Sequence, residues 1–264
     1  MKLVAIASAA FALASAGITQ AKRHKGNPAT PAPTTPAPVE PVGPSFIFEF
    51  DPKLAGGVSG WIQVDYVDPS PTCTAAKVSA ELDFSKVDQA AIKKADGNCT
   101  ADVVTTYAWH IHVKWNSSEL SQSFAQCGKA NTGNHYDPLH ACGPFSEHIG
   151  TSECTPRVAS YACNPDAYAK DHRVCEKGDL SGKLGDFKLD KQSKVAGEWI
   201  DPHFPRVEEL TPQWNIIVHA VCGKATPRVA CALIQEIDEE EEDEDEEDEE
   251  DEEDEDDKDS QDSY

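Results

Sequence analysis

Residues 107–115 read Tyr107-Ala108-Trp109-His110-Ile111-His112-Val113-Lys114-Trp115. Large apolar side chains fall on every odd position, and small or polar ones on every even position. A period of two is the mark of a β-strand with one face on a core. Tyr107, Trp109, Ile111, Val113 and Trp115 take the core face, while Ala108, His110, His112 and Lys114 project from the other. The two imidazoles then stand about 6.5–7 Å apart along the strand, close enough to converge on one metal ion. An HxH pair by itself fits two exposed strand histidines as well as it fits two ligands.

Outward from this strand the same short patterns recur. Residues 46–50 (FIFEF) and 61–67 (WIQVDYV) partly alternate, and Ile216-Ile217-Val218 is a β-branched run. Gly, Pro, Asn and Asp punctuate between them, as turns require. The one helical candidate covers residues 85–95, and no repeat of fixed period is present. Residues 45–235 are therefore expected to form one all-β domain, a sandwich or barrel with long loops braced by disulfides.

The flanks are of different composition. Met1-Lys2 precedes an apolar, small-residue run over residues 3–16. This reads as a signal peptide over residues 1–21, cleaved after Ala16 or Ala21. The run is too short to span a bilayer, and no later stretch is long enough. Residues 22–44 open with Lys22-Arg23-His24-Lys25 and continue rich in Pro, Ala and Thr, an extended linker. The basic tetrad fits a processing site or a solvated mature N-terminus.

The net charge of −24 is unevenly placed: residues 236–264 hold 23 acids and one lysine, leaving 24 acids and 22 bases elsewhere. The folded part is near neutral, with no basic footprint for nucleic acid. The acidic tail over residues 236–264 is expected to be disordered. It suits solubility, loose cation binding or contact with basic surfaces.

Nine cysteines fit an oxidising compartment, and none forms a CxxC pair. Cys73–Cys99 would bracket a unit ahead of the histidine strand. Asn98-Cys99-Thr100 and Asn116-Ser117-Ser118 are glycosylation sequons, which also fit secretion.

Three further segments complete a pattern. They are Gly133-Asn134-His135, Ile216-Ile217-Val218-His219 with Arg228-Val229-Ala230-Cys231 after it, and Glu176-Lys177-Gly178-Asp179-Leu180-Ser181-Gly182-Lys183. Together with the HxH strand they resemble the copper/zinc superoxide dismutase family, and its copper-only extracellular branch more closely, over roughly residues 57 to 235. The resemblance implies a Greek-key β-barrel. It implies one copper per chain, held by His110, His112, His135 and His219, with His135 releasing and taking up a proton during turnover. It implies a Cys127–Cys231 disulfide, and Arg228 beside the metal to attract the superoxide anion. Glu176 stands where a zinc enzyme has a histidine, Asp179 keeps the aspartate place, and both are expected to orient His135. Zinc is not expected.

His140 and His148 are off the zinc spacing and read as surface loop histidines. Cys142, Cys154, Cys163, Cys175 and Cys222 crowd the region of the zinc loop, where disulfides would stiffen it instead. The segment between His219 and Arg228 is short, which predicts an open site. The function implied is that of a secreted, monomeric, copper-only superoxide dismutase. The alternative is a copper-binding or copper-buffering surface protein without turnover.

Overall fold

The computed structural model describes residues 41–69, 74–116 and 124–237. The expected signal peptide, most of the linker, Cys73, the rest of the second sequon and nearly all of the acidic tail lie outside them. Eight strands form one antiparallel sheet: β1 (Ser45–Phe50), β2 (Ser59–Pro69), β3 (Thr74–Asp83), β4 (Thr106–His112), β5 (Phe187–Lys188), β6 (Lys194–Asp201), β7 (Asn215–Ala220) and β8 (Arg228–Glu236). Their order is β5-β4-β7-β8-β1-β2-β3-β6, a nearly closed barrel. Neighbouring hairpins are joined by crossovers from β3 to β4 and from β6 to β7, which is Greek-key connectivity. The helices are short: α1 (Gln89–Ala95), α2 (Lys129–Thr132), α3 (Pro165–Tyr168) and α4 (Leu180–Leu184). α1 starts later than residue 85 because Asp88 caps it, accepting from the amides of Ala90 and Ala91.

The odd face of β4 is the centre of the core. Tyr107, Trp109 and Ile111 are fully buried, and Trp109 stacks on Phe187 with ring centroids 4.4 Å apart. Each such side chain contributes about 1.5–3 kcal/mol by leaving water. Ile62, Val64 and Val78 close the opposite wall. The strand ends at His112 rather than Trp115. Beyond it the backbone bonds to a loop, Val113 N–H to Asn134 O and Lys114 N–H to Thr132 O, both at 3.2 Å.

Among the described residues, eight cysteines form four disulfides: Cys99–Cys222, Cys127–Cys231, Cys142–Cys154 and Cys163–Cys175. The expected Cys73–Cys99 pair is thereby corrected. A β-bridge from Cys99 to Gly223 carries the segment after α1 onto the turn that follows β7, which brings Cys222 to Cys99. The two bonds that span 12 residues each brace the long β4–β5 connection.

A buried ion pair anchors the end of that connection to the barrel. Lys183 Nζ of α4 donates to Asp201 Oδ2 of β6 at 2.5 Å and to Lys177 O at 2.7 Å. The Tyr168 hydroxyl and the His203 amide donate to the other Asp201 oxygen. Removing the cation would strand a buried carboxylate. Lys183→Ala should therefore cost about 3–5 kcal/mol. Urea unfolding measures this, and a loss under about 1 kcal/mol would show that the pair is not what holds this loop.

Candidate metal centre

The four histidines named from sequence come together. β4 and β7 pair in register so that Ala108 faces His219 and His110 faces Ile217. Partners directly opposite share a face, so His110, His112 and His219 project together from the barrel's outer side. His135 arrives on the long connection. A β-bridge joins it to His112, and its own amide and carbonyl bond Phe145 O at 2.8 Å and the Glu147 amide at 3.0 Å. Gly178 closes the arrangement. Its amide donates to Tyr136 O, and its carbonyl accepts from Ile111 N–H, each at 2.8 Å. A Cβ at Gly178 would lie 2.5 Å from Ile111 O and 2.8 Å from Tyr136 N, so only glycine fits.

The four rings are buried, at 9%, 0%, 4% and 4% exposure for His110, His112, His135 and His219. An open site was expected from the short segment before Arg228. Instead Pro144, Phe145 and Tyr161 from the long connection line a cavity of about 160 Å³ over His110, His135 and His219.

Each ring has one nitrogen placed by the protein and one left over. His112 Nδ1 bonds Gly133 O and His219 Nδ1 bonds Thr226 O, both at 3.1 Å. A carbonyl only accepts, so both rings carry the proton on Nδ1 and a lone pair on Nε2. His135 Nδ1 meets Glu176 Oε2 at 2.6 Å, and His110 Nε2 lies 3.5 Å from Asp179 Oδ1. The remaining nitrogens are His110 Nδ1 and the Nε2 atoms of His112, His135 and His219. All four are buried and without a hydrogen-bond partner. The four residues offer ligand atoms that lie within 4.8 Å of one another. Buried polar atoms without a partner cost about 1–3 kcal/mol each, so a convergent set of four imidazole nitrogens fits a metal ion that imidazole binds well. Copper heads that series among first-row dications.

A second cluster, Asp137 with Cys142 and Cys154, has no thiolates to offer, because the two cysteines are bonded to each other.

Asp179 has two roles at once. Oδ1 caps α4 by accepting from Gly182 N–H at 2.8 Å, and Oδ2 accepts from the Tyr161 hydroxyl at 2.7 Å. Tyr161 also accepts from the Glu176 amide at 3.2 Å. It therefore ties the Asp179 carboxylate to the Glu176 backbone, yet nothing in its local sequence marks it. Asp179 approaches His110 rather than His135, so the two acids divide between two rings. Arg228 does not line the cavity. It donates to Thr132 Oγ1 at 2.5 Å and to Gly133 O at 2.9 Å, with a long 3.5 Å contact to Cys127 O. Gly133 O thus holds both the Arg228 guanidinium and the His112 ring.

Asn98 and Asn116 are exposed.

Burial dominates the titration of these groups. It pulls His135 down to about 4 and His219 to about 3, and holds His110 and His112 well below their ordinary value. Burial and then Asp179 push Glu176 up to about 9. Burial lowers Arg228 to about 10, where it stays a cation at neutral pH.

Neither the protein-family models nor the curated proteins compared with this chain give a match. Solved structures do. The Cu(II) form of superoxide dismutase 5 from Candida albicans aligns at 21% identity, over 75% of this chain and 95% of that one, with a TM-score of 0.45. Two variants of the same protein align at 22% and 20% identity, over 75% of this chain and 94% and 92% of theirs, with TM-scores of 0.45 and 0.43.

The depressed histidines make a pH prediction for the metal-free protein. Below about 6.5 the unfolded chain takes up protons that the folded rings refuse, so stability falls with pH down toward 4. Glu176 works in the opposite sense, since its raised value favours the folded state as pH drops from 9 to its ordinary range. Four histidines against one carboxyl leave a net loss, each histidine contributing up to about 1.4 kcal/mol per pH unit. Urea melts at pH 7 and pH 5 should show the metal-free chain clearly weaker at pH 5. Equal stability would show that the rings are hydrated rather than buried.

Proposed function

We propose that this chain is a secreted, copper-only superoxide dismutase with its metal at His110, His112, His135 and His219. The observation that carries the reading is the set of four buried, unpartnered imidazole nitrogens facing one another. Copper held there would supply the one-electron couple that oxidises one superoxide to dioxygen and reduces a second, with two protons, to hydrogen peroxide.

The chain's own groups do the rest. Arg228 is a cation fixed beside the cluster by Gly133 O and Thr132 Oγ1. A fixed charge of this kind raises the local concentration of a small anion. Glu176 Oε2 bonds Nδ1 of His135, which sets the ring's orientation and leaves Nε2 facing inward. The same Nε2 is where a proton can be kept when the nitrogen is not a ligand. Asp179 does the corresponding work for His110, more loosely. Cavity-lining Pro144, Phe145 and Tyr161 limit water around the rings. The absence of zinc is supported by Glu176, since its oxygen occupies the nitrogen of His135 through which a second metal would have to be bridged. Secretion is supported by the four disulfides, which persist in oxidising compartments. A signal peptide over residues 1–21, glycans on Asn98 and Asn116 and a separate acidic tail belong to the same reading. Among the described residues no helix is long and apolar enough to cross a membrane.

Metal analysis of the secreted chain should give one copper and no zinc, with superoxide removal lost in His135→Ala. Copper at one per chain without turnover in the unmodified protein would leave a copper-buffering role. Zinc at an equal ratio would overturn the copper-only reading. Arg228→Ala should keep copper but lower kcat/KM about tenfold or more and flatten its dependence on ionic strength. Unchanged kinetics would remove Arg228 from substrate guidance.

A further inference from the structure

Outside the buried cluster, the long β4–β5 connection carries a second pair of imidazoles. The rings of His140 and His148 stack with centroids 4.0 Å apart and planes 24° apart. Both are solvent-accessible, with side chains 36% and 30% exposed. His140 Nδ1 meets Glu153 Oε2 at 2.8 Å, and His148 Nε2 lies 3.9 Å from Glu147 Oε1. A carboxylate on one imidazole nitrogen orients the ring and makes the other nitrogen the better ligand. For His140 this leaves Nε2 as the nitrogen for a ligand bond.

The backbone under the pair is held in costly conformations. His140 and Cys142 have positive φ, 53° and 63°, a region that non-glycine residues rarely occupy. Three bonds to Asp137 hold the turn there, from the amides of Ala141 and Cys142 at 2.8 Å and from the Ser146 hydroxyl at 2.7 Å. The Cys142–Cys154 disulfide ties Glu153's neighbour to the same turn. Ser146 Oγ accepts from the His148 amide at 3.0 Å, so the two halves of the pair share one scaffold. Strain kept in place by this much surrounding structure is a reason to look for a use.

We infer that His140 and His148 form a second, exchangeable Cu(II) site, with Glu153 as the carboxylate that positions His140. Two nitrogens bound cis at about 2.0 Å from a metal lie about 3 Å apart. Binding one ion requires the two rings, now 24° from parallel, to rotate so that their planes meet at the metal. Two imidazoles and water make a weaker site than four buried imidazoles, so the ion exchanges with solvent. Arg157 Nη1 sits 3.7 Å from Glu153 Oε1 and leaves Oε2 for His140. Glu147 links the pair to the buried cluster, since its amide donates to His135 O and its carboxylate accepts from the Asp137 amide. The fold contains its own control. His172 and His203 also stack, at 4.1 Å and 25°, but no carboxylate lies within ion-pair distance of either among the described residues.

The test is a Cu(II) titration of the full, metal-free chain followed by electron paramagnetic resonance with resolved nitrogen coupling. The first equivalent should show the four-nitrogen centre and the second a distinct two-imidazole signal. Oxygen-only signals from the acidic tail carry no such coupling and do not interfere. In the His140→Ala/His148→Ala double variant the second signal should vanish, and the retained first signal shows that the fold is intact. Glu153→Gln should weaken the second site about tenfold. The His172→Ala/His203→Ala variant should keep both signals. A second nitrogen-coupled equivalent that survives loss of His140 and His148, or none in the unmodified chain, overturns the inference. Loss of the first equivalent alone would overturn the buried copper centre and leave this site standing.

Discussion

Beyond Tyr107, β4 has no strand along one of its edges, because β5 pairs only with Thr106 and Tyr107. The long connection takes that edge instead. Ile111 N–H bonds Gly178 O, Ile111 O accepts from Tyr136 N–H, and Val113 N–H bonds Asn134 O. These three bonds flank His112. They bring His135 to His112, set Glu176 and Asp179 behind the rings, and cover a strand face that would otherwise meet water. An HxH strand becomes a metal centre only once this edge is filled. Gly133 and Gly178 matter for the same reason. One adopts φ of 72° and the other admits two backbones at contact distance.

The electrostatics follow from the burial. Rings that cannot be hydrated resist protonation, so four unpartnered nitrogens face one another across neutral and mildly acid pH. Every outer nitrogen has an acceptor nearby, but the acceptors differ. Two are carbonyls, which fix a tautomer and do nothing more. Two are carboxylates, which respond to charge. Glu176 is the closer, and its raised affinity for a proton reflects burial beside Asp179. Arg228 lies near the cluster but is tied to Thr132 and Gly133, so its field reaches the rings while its side chain stays out of the cavity.

Much of this was legible in the sequence, and the gaps have physical causes. The alternation from Tyr107 to Ile111 identifies the core face because bulky aromatics leave no other arrangement. The β-branched run before His219 marks β7. β3 and β6 were not legible. Residues 74–83 (TAAKVSAELD) do alternate, with Ala76, Val78, Ala80 and Leu82 buried, but alanine, lysine, glutamate and leucine are also good helix formers. Val195-Ala196-Gly197 dilutes β6 in the same way. The Cys99–Cys222 bond depends on a single bridge across the barrel mouth, and sequence spacing has no access to that. Tyr161 has no local signal because its role is set by Glu176 and Asp179, 15 and 18 residues further on.

The covering of the site bears on what the loop disulfides do. A short turn between His219 and Arg228 was expected to leave the centre open, yet the rings are as buried as core side chains. The lid comes from the other side, from residues 144–161, and that segment has almost no regular structure of its own. Its position rests on Cys142–Cys154, Cys163–Cys175 and the bonds converging on Asp137 and Asp179. Each short disulfide loop contributes about 3 kcal/mol at most through chain entropy. That is modest for the whole domain, but it is concentrated where packing is thin. Cross-links and carboxylates thus do for this loop what a hydrophobic core does for the barrel. They keep four unpartnered nitrogens apart from water without adding a ligand.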